Sequence, residues 1–271
     1  MDAKKLSESI APFLEDAALS AWIRAVAISV SPFRYEVECR LVNISADGQV
    51  SSSISQDQFL ALRSAHFGPA SATCVQKITR IEDRFYGPDL RQRVVTAHPP
   101  APTPAAPPQR RVAAAAVVPP KERWTYKRTQ FHRDFRVLHR PLGIRLSIKI
   151  ETLVVAPQAD PSSSLSWYRV AQCWSLVTSD KHTQTDFRLV WQGRTPEAAV
   201  AADADSKTKN EPRFEVEVEL ILPGLLSGVL SDAESIDKNI ERTRTGVGQI
   251  LLQALALQGA GDQPPKLLPL V

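Results

Sequence analysis

From Arg213 to Leu222 the chain reads Arg-Phe-Glu-Val-Glu-Val-Glu-Leu-Ile-Leu, in which acidic and apolar residues alternate strictly. A period of two is that of a β-strand, so Glu215, Glu217 and Glu219 share one face. The run Phe33–Val42 repeats the pattern, with Glu36, Glu38 and Arg40 on one face and Tyr35, Val37, Cys39 and Leu41 on the other. Side by side, two such strands crowd five carboxylates. Unit charges about 7 Å apart repel by roughly 2 kcal/mol at an effective dielectric near 20, so the cluster has to be solvated or neutralised. A hard divalent cation with oxygen ligands does the second. Magnesium or manganese suits these carboxylates better than zinc, because no His or Cys accompanies them. The plainer reading is a pair of half-buried strands with wet outer faces.

Other runs alternate in the same way. In Gly143–Glu151 the residues Arg145, Ser147, Lys149 and Glu151 oppose Ile144, Leu146, Ile148 and Ile150. Arg91 and Arg93 share a face, as do Gln184, Asp186 and Arg188. Further strands are expected at Val75–Phe85, Leu90–Thr96, Arg123–Arg128, Asp134–His139, Ser166–Thr178 and Thr185–Gln192. The fold class is therefore α+β and mainly β: a closed antiparallel barrel of about eight or more strands, with a polar lumen and helices over part of its apolar outside. Those helices are expected at Leu6–Val30, stopped by Pro32, and at Ser231–Leu257, with a short one after the capping box Ser55-Gln-Asp-Gln58.

The segment from His98 to Pro120 holds eight of the 21 prolines and no aromatic residue, and reads as a flexible loop. A second polar loop is expected at 195–210. The acidic strands lie on opposite sides of the first loop, so one domain over residues 1–258 is expected, with a frayed tail at 259–271.

At 271 residues, 43% apolar and 23% charged, the chain can bury a full core, and its net charge of +4 permits a polyanionic partner without demanding one. Cys39, Cys74 and Cys173 are odd in number and widely spaced, which argues against a disulfide framework or a zinc site and for a reducing, intracellular setting. No secretory apolar core and no membrane-spanning run is present. There is no P-loop and no G-x-S-x-G elbow; Gly246-Val-Gly248 is a fragment within the last helix. Trp124, Trp167, Trp174 and Trp191 could stack on bases, although tryptophans in strands are more often packing residues.

The order of these motifs resembles the metal-dependent RNA 5′-triphosphatases of fungal and protozoan mRNA capping, members of the triphosphate tunnel metalloenzymes. The similarity covers roughly Tyr35 to Leu222. It comprises an E-x-E strand (Glu36, Glu38), an R-x-R strand (Arg91, Arg93), an Arg-Leu-Ser strand ending in Glu151, an Arg/Ser strand (Arg169, Ser175), an Asp strand (Asp186) and E-x-E-x-E (Glu215, Glu217, Glu219). The resemblance implies that Glu36, Glu38 and Glu219 hold Mg2+ or Mn2+, and that Glu217 orients the attacking water. Arg93, or in its place Arg91, would contact the γ-phosphate. Arg145, Glu151 and Asp186 would form supporting pairs inside the tunnel, and Arg40 stands where a basic residue usually follows the first E-x-E. The implied substrate is the 5′-triphosphate end of RNA, the implied setting nuclear or nucleocytoplasmic, and the implied partner a guanylyltransferase of the capping apparatus.

The sequence departs from that pattern at Ala171 and Cys173, where the strand of Arg169 normally carries basic residues, and at Gln184. Two readings follow. Either Lys127, Arg128 or Lys149 supplies the missing charge and the protein is a hydrolase, or the tunnel is catalytically impaired and serves as a binding or assembly subunit.

Overall fold

The computed structural model describes residues 10–28, 33–67, 75–86, 89–97, 120–155, 165–178, 183–195, 198–199, 211–221, 233–259 and 265–270. Ten strands are described: β1 (Phe33–Ile44), β2 (Val50–Ser51), β3 (Val75–Tyr86), β4 (Leu90–Ala97), β5 (Lys121–Leu138), β6 (Gly143–Val154), β7 (Leu165–Val177), β8 (Thr183–Gly193), β9 (Arg213–Leu220) and β10 (Lys266–Pro269). Three named helices accompany them: α1 (Ala17–Ile28), α2 (Gln56–His66) and α3 (Ala233–Leu257).

Eight strands close into an antiparallel barrel in the order β5-β4-β3-β7-β8-β9-β1-β6, with β6 returning to β5. Closure leaves the barrel no free edge. The two acidic strands are neighbours, with Glu38 opposite Glu219 and Arg40 opposite Glu217. Between β4 and β6 the expectation of two short strands gives way to one long strand, β5, whose register against β6 shifts between Thr129 and Phe131. A bulge of this kind bends the strand and keeps it paired around the barrel.

Alternation sorts the side chains. Val37, Cys39 and Leu41 of β1, Ile144, Leu146 and Ile148 of β6, Phe187 of β8 and Val216 and Val218 of β9 point outward into the main core. Helices α1 and α3 close over them with Leu19, Ile23, Ile250, Leu251 and Leu255, while Phe59 of α2 packs against Phe187 and Phe214. The Ser55 capping box forms as expected, Ser55 accepting from the Gln58 amide and Gln58 from the Ser55 amide. Gly143 begins β6 because a Cβ there would come within 2.7 Å of the Phe135 carbonyl oxygen on β5. No described helix is long and apolar enough to cross a membrane.

One expectation is corrected. The tail is not wholly frayed: β10 pairs with the end of β5, Leu267 opposite Val137, and Leu267 is buried in the main core. Burying that leucine offsets the entropy of fixing four residues at the terminus. Within the second polar segment, Ala199 is buried against Tyr168 and Val170; the rest of it, like residues 98–119, lies largely outside the described residues.

Leu267→Ala is expected to cost about 2 kcal/mol or more, measured as a shift of the urea midpoint at unchanged slope. No shift would mean that the terminal strand adds nothing to stability.

Candidate active site in the barrel lumen

The lumen is a cavity of about 240 Å³ whose lining comes from all eight barrel strands and the β3–β4 turn, Phe85 being the residue from β3. Glu36, Glu38 and Arg40 reach it from β1, Glu217 and Glu219 from β9, Arg91 and Arg93 from β4, Lys127 and Thr129 from β5, Lys149 from β6, Arg169 from β7 and Arg188 from β8. The charged faces therefore point inward, which rules out the plainer reading of wet outer faces.

Nearly every charge in the lumen is paired across strands. Arg93 grips Asp83 with two hydrogen bonds of 2.7 and 2.9 Å. Arg91 and Arg123 hold the two oxygens of Glu151 at 2.7 and 3.1 Å. Arg169 holds Glu215, and Arg188 lies between Asp186 and Glu217, which also accepts from Arg40. Lys127 sits 2.6 Å from both oxygens of Glu36, and Lys149 donates to Glu38.

These pairs set the protonation states. Burial pushes the Glu217 carboxyl up, but Arg188 and Arg40 outweigh it and bring it down to about 2. Burial likewise raises Glu36, and Lys127 and Lys149 outweigh it and bring it down to about 2. Glu219 is the exception: burial, then the neighbouring Glu36 and Asp186, push it up to about 8. A buried carboxyl surrounded by like charge keeps its proton unless another cation arrives.

Four of the cationic side chains are not saturated. The Nε–H groups of Arg40, Arg91, Arg169 and Arg188 are buried without a hydrogen-bond partner in the protein. Each such donor costs about 1–3 kcal/mol until an acceptor reaches it. A multiply charged oxyanion is the ligand chemistry that supplies acceptors to converging guanidinium groups.

The structure gathers most of the residues singled out in the sequence and leaves some aside. Glu36, Glu38, Glu217, Glu219, Arg91, Arg93 and Arg169 line the cavity. Glu151, Asp186 and Glu215 stand behind them as buried partners of the arginines. Arg145, opposite the cavity residue Arg40 on β1, does not line the cavity itself and pairs with Asp134 across the β5–β6 ladder at 2.7 and 2.9 Å. Of the three residues considered as substitutes for missing charge, Lys127 and Lys149 line the cavity, whereas Arg128 is exposed on the other face of β5. Ala171 and Cys173 join Ile81, Val190 and the partly buried Val95 in an apolar stripe on the lumen wall. Arg188, directly opposite Cys173, brings a guanidinium from the adjacent strand.

Sequence reasoning missed Asp83, the 2%-exposed partner of both Arg93 and Arg91. Its strand reads Arg80-Ile-Glu-Asp-Arg-Phe, charged on both faces, so alternation could not show which face was inward.

Burial raises Glu151 but Lys127, Arg91 and Arg123 together hold it down at about 2, against an ordinary value of 4.5. A carboxyl lowered by folding adds stability that is complete above its unfolded value and is lost as pH falls through the folded one. The protein is therefore expected to lose stability between about pH 4.5 and 2, and Glu151→Gln to flatten that acid limb while lowering stability at pH 7. Urea unfolding across that range checks both; an unchanged acid limb would remove the pairing argument.

The amino-acid sequence matches no protein-family profile and no curated protein. Solved structures are similar in fold. The S. pombe Pct1 RNA triphosphatase aligns over 89% of this chain and 91% of its own, at 15% identity and a TM-score of 0.55. The same protein in complex with the Spt5 CTD aligns over 89% and 90%, at 14% identity and a TM-score of 0.56. The closed barrel expected from the order of the motifs is thus present, and the chain has the fold of the S. pombe Pct1 RNA triphosphatase.

Proposed function

We propose that this protein is a metal-dependent phosphohydrolase that removes the γ-phosphate from the 5′-triphosphate end of RNA, the first step of mRNA cap formation. The observation that carries the reading is a single cavity lined by Arg40, Arg91, Arg169 and Arg188, whose Nε–H groups are buried and unbonded, and by the carboxylates Glu38 and Glu219, opposite one another on adjacent strands. Arginine forks match phosphate oxygens, and the fold likeness to an RNA triphosphatase supports the same substrate class.

The donor set fits a hard divalent cation. Glu38 and Glu219 face one another across β1 and β9, Glu36 lies two residues further along β1, and the raised Glu219 carboxyl is the condition a bound cation relieves. Mg2+ or Mn2+ held by these three would neutralise charge on the phosphate oxygens. Among the described residues no three such side chains converge on one point, because Lys127 and Lys149 hold Glu36 and Glu38. The lysines and the ion compete for the same oxygens. Lys149→Met is therefore expected to bind Mn2+ roughly tenfold more tightly in the absence of substrate, read by calorimetry; unchanged affinity would mean no competition.

The chain's own residues take the remaining roles. Phosphoryl transfer proceeds through a loose transition state, so catalysis consists mainly of positioning and charge stabilisation. Arg91, Arg93, Arg169 and Arg188 grip the phosphates, and Glu217 orients water in line with the γ-phosphorus. Held at about 2, Glu217 is too weak a base to take a proton early, but it is ionised throughout the working range and accepts a hydrogen bond from water. Arg40 and Arg188 fix its position from two sides. The product, a 5′-diphosphate end, is the acceptor that guanylyl transfer requires, which makes a guanylyltransferase the natural partner and the nucleus the natural setting.

The second reading, a tunnel that binds without hydrolysing, is favoured by the apolar stripe of Ala171 and Cys173 in place of basic residues. Release of labelled γ-phosphate from triphosphate-ended RNA with Mg2+ or Mn2+ separates the two. Wild type is expected to be active and Glu217→Ala at least about 100-fold slower, the scale of losing one preorganised transition-state contact. Tight RNA binding with no release under either metal would establish the binding subunit.

A further inference from the structure

Five tryptophans are present, and alternation assigns the faces of the four that lie in strands. Trp22 and Trp174 pack against the main core, Trp174 beneath the Arg63 guanidinium at 4.7 Å. Trp124 stacks on Tyr86 at 5.3 Å on the outer side of β5, and Trp191, next to the lumen residue Val190, faces outward. Trp167 differs from all of these. It lies two residues before the cavity arginine Arg169 on β7, hence on the same inward-facing side and about 7 Å further along. It is also 37% exposed, which is unusual for so large an apolar residue in a barrel strand.

Its neighbours place it at the mouth of the tunnel. Trp167 is the cross-strand partner of Phe85, which itself lines the cavity and sits one residue from the end of β3. Asp89, in the turn between β3 and β4, lines the cavity at the same end. The strand ladder shifts register between Phe85 and Tyr86, directly beside this pair. From the phosphate-binding arginines outward, the lumen thus passes from charge to aromatic surface to solvent.

We infer that Trp167 and Phe85 form a nucleobase-stacking site at the tunnel mouth, which holds the first base of a triphosphate-ended nucleotide while its phosphates lie among the arginines within. This rests on the reading that phosphates occupy the lumen, and adds to it a reason to prefer nucleotide ends over inorganic polyphosphate. Every base offers a π-face, so such a site is tolerant of sequence. The order of the two surfaces matches the order of groups in the ligand. A nucleoside triphosphate carries its aromatic ring at one end and its charge at the other, and its sugar spans the space between. No hydrogen-bonding edge is needed to account for discrimination, because inorganic triphosphate has nothing to place on the rings.

The test compares binding of adenosine 5′-(β,γ-imido)triphosphate with that of inorganic diimidotriphosphate, both with Mg2+, to wild type, Trp167→Ala and Trp167→Phe by calorimetry. Trp167→Ala is expected to weaken the nucleotide by roughly 5- to 100-fold, the range of one base–aromatic stack, to leave the inorganic ligand within twofold, and to be largely rescued in Trp167→Phe. Equal losses for both ligands, or no loss for either, would overturn the stacking site while leaving the phosphate site standing. Wild type that binds neither ligand would overturn both.

Discussion

Everything in this molecule depends on the mutual neutralisation of charges buried inside a closed barrel. Asp83, Glu151, Asp186, Glu215 and Glu217 are each no more than 3% exposed, and each meets at least one arginine from its own strand or from one no more than two strands away. An isolated buried charge is several kcal/mol unfavourable, so the lumen persists only because carboxylates and guanidinium groups alternate around it. Such a lattice does little for stability compared with an apolar filling. It holds side chains at fixed positions in a space that can still admit ions, which an apolar core could not do.

Stability comes instead from the other side of the same strands. The outward residues of β1, β6, β8 and β9 make one continuous core with α1 and α3, so the charged inner layer is supported by a conventional apolar outer one. This division explains why the helices sit where they do. They cover the strands that carry the acidic clusters, fixing Glu36, Glu38, Glu217 and Glu219 on the best-packed wall of the barrel. The opposite wall, β3 and β4, carries Arg91 and Arg93, whose positions are set by Asp83 and Glu151 rather than by a helix behind them.

The arrangement also shows how a tunnel can lose two basic residues and keep a cationic lumen. Ala171 and Cys173 create an apolar stripe, but Arg188 stands opposite Cys173 on β8 and Lys127 and Lys149 come from β5 and β6. Charge in a barrel is a property of the ring of strands. A substitution on one strand can be offset from the next, because side chains of adjacent strands converge on the same space.

Much of this was legible in the sequence, for a definite reason: strict alternation fixes which residues share a face, and the long strands of β1, β6 and β9 alternate without fault. Their acidic faces, the long closing helix α3, the Ser55 cap and the closed barrel follow from residue order. Where alternation fails, so did the reading. The two-faced charge of β3 hid Asp83, and the bulge in β5 split one strand into two. What the sequence determined alone is therefore the set of faces, since a period of two is local. What only the tertiary structure decided is which way those faces point, which cation meets which carboxylate, and that Trp167 alone among the strand tryptophans turns inward at the mouth. Those depend on closure of the ring, which brings together residues more than a hundred positions apart, and no local pattern encodes that distance.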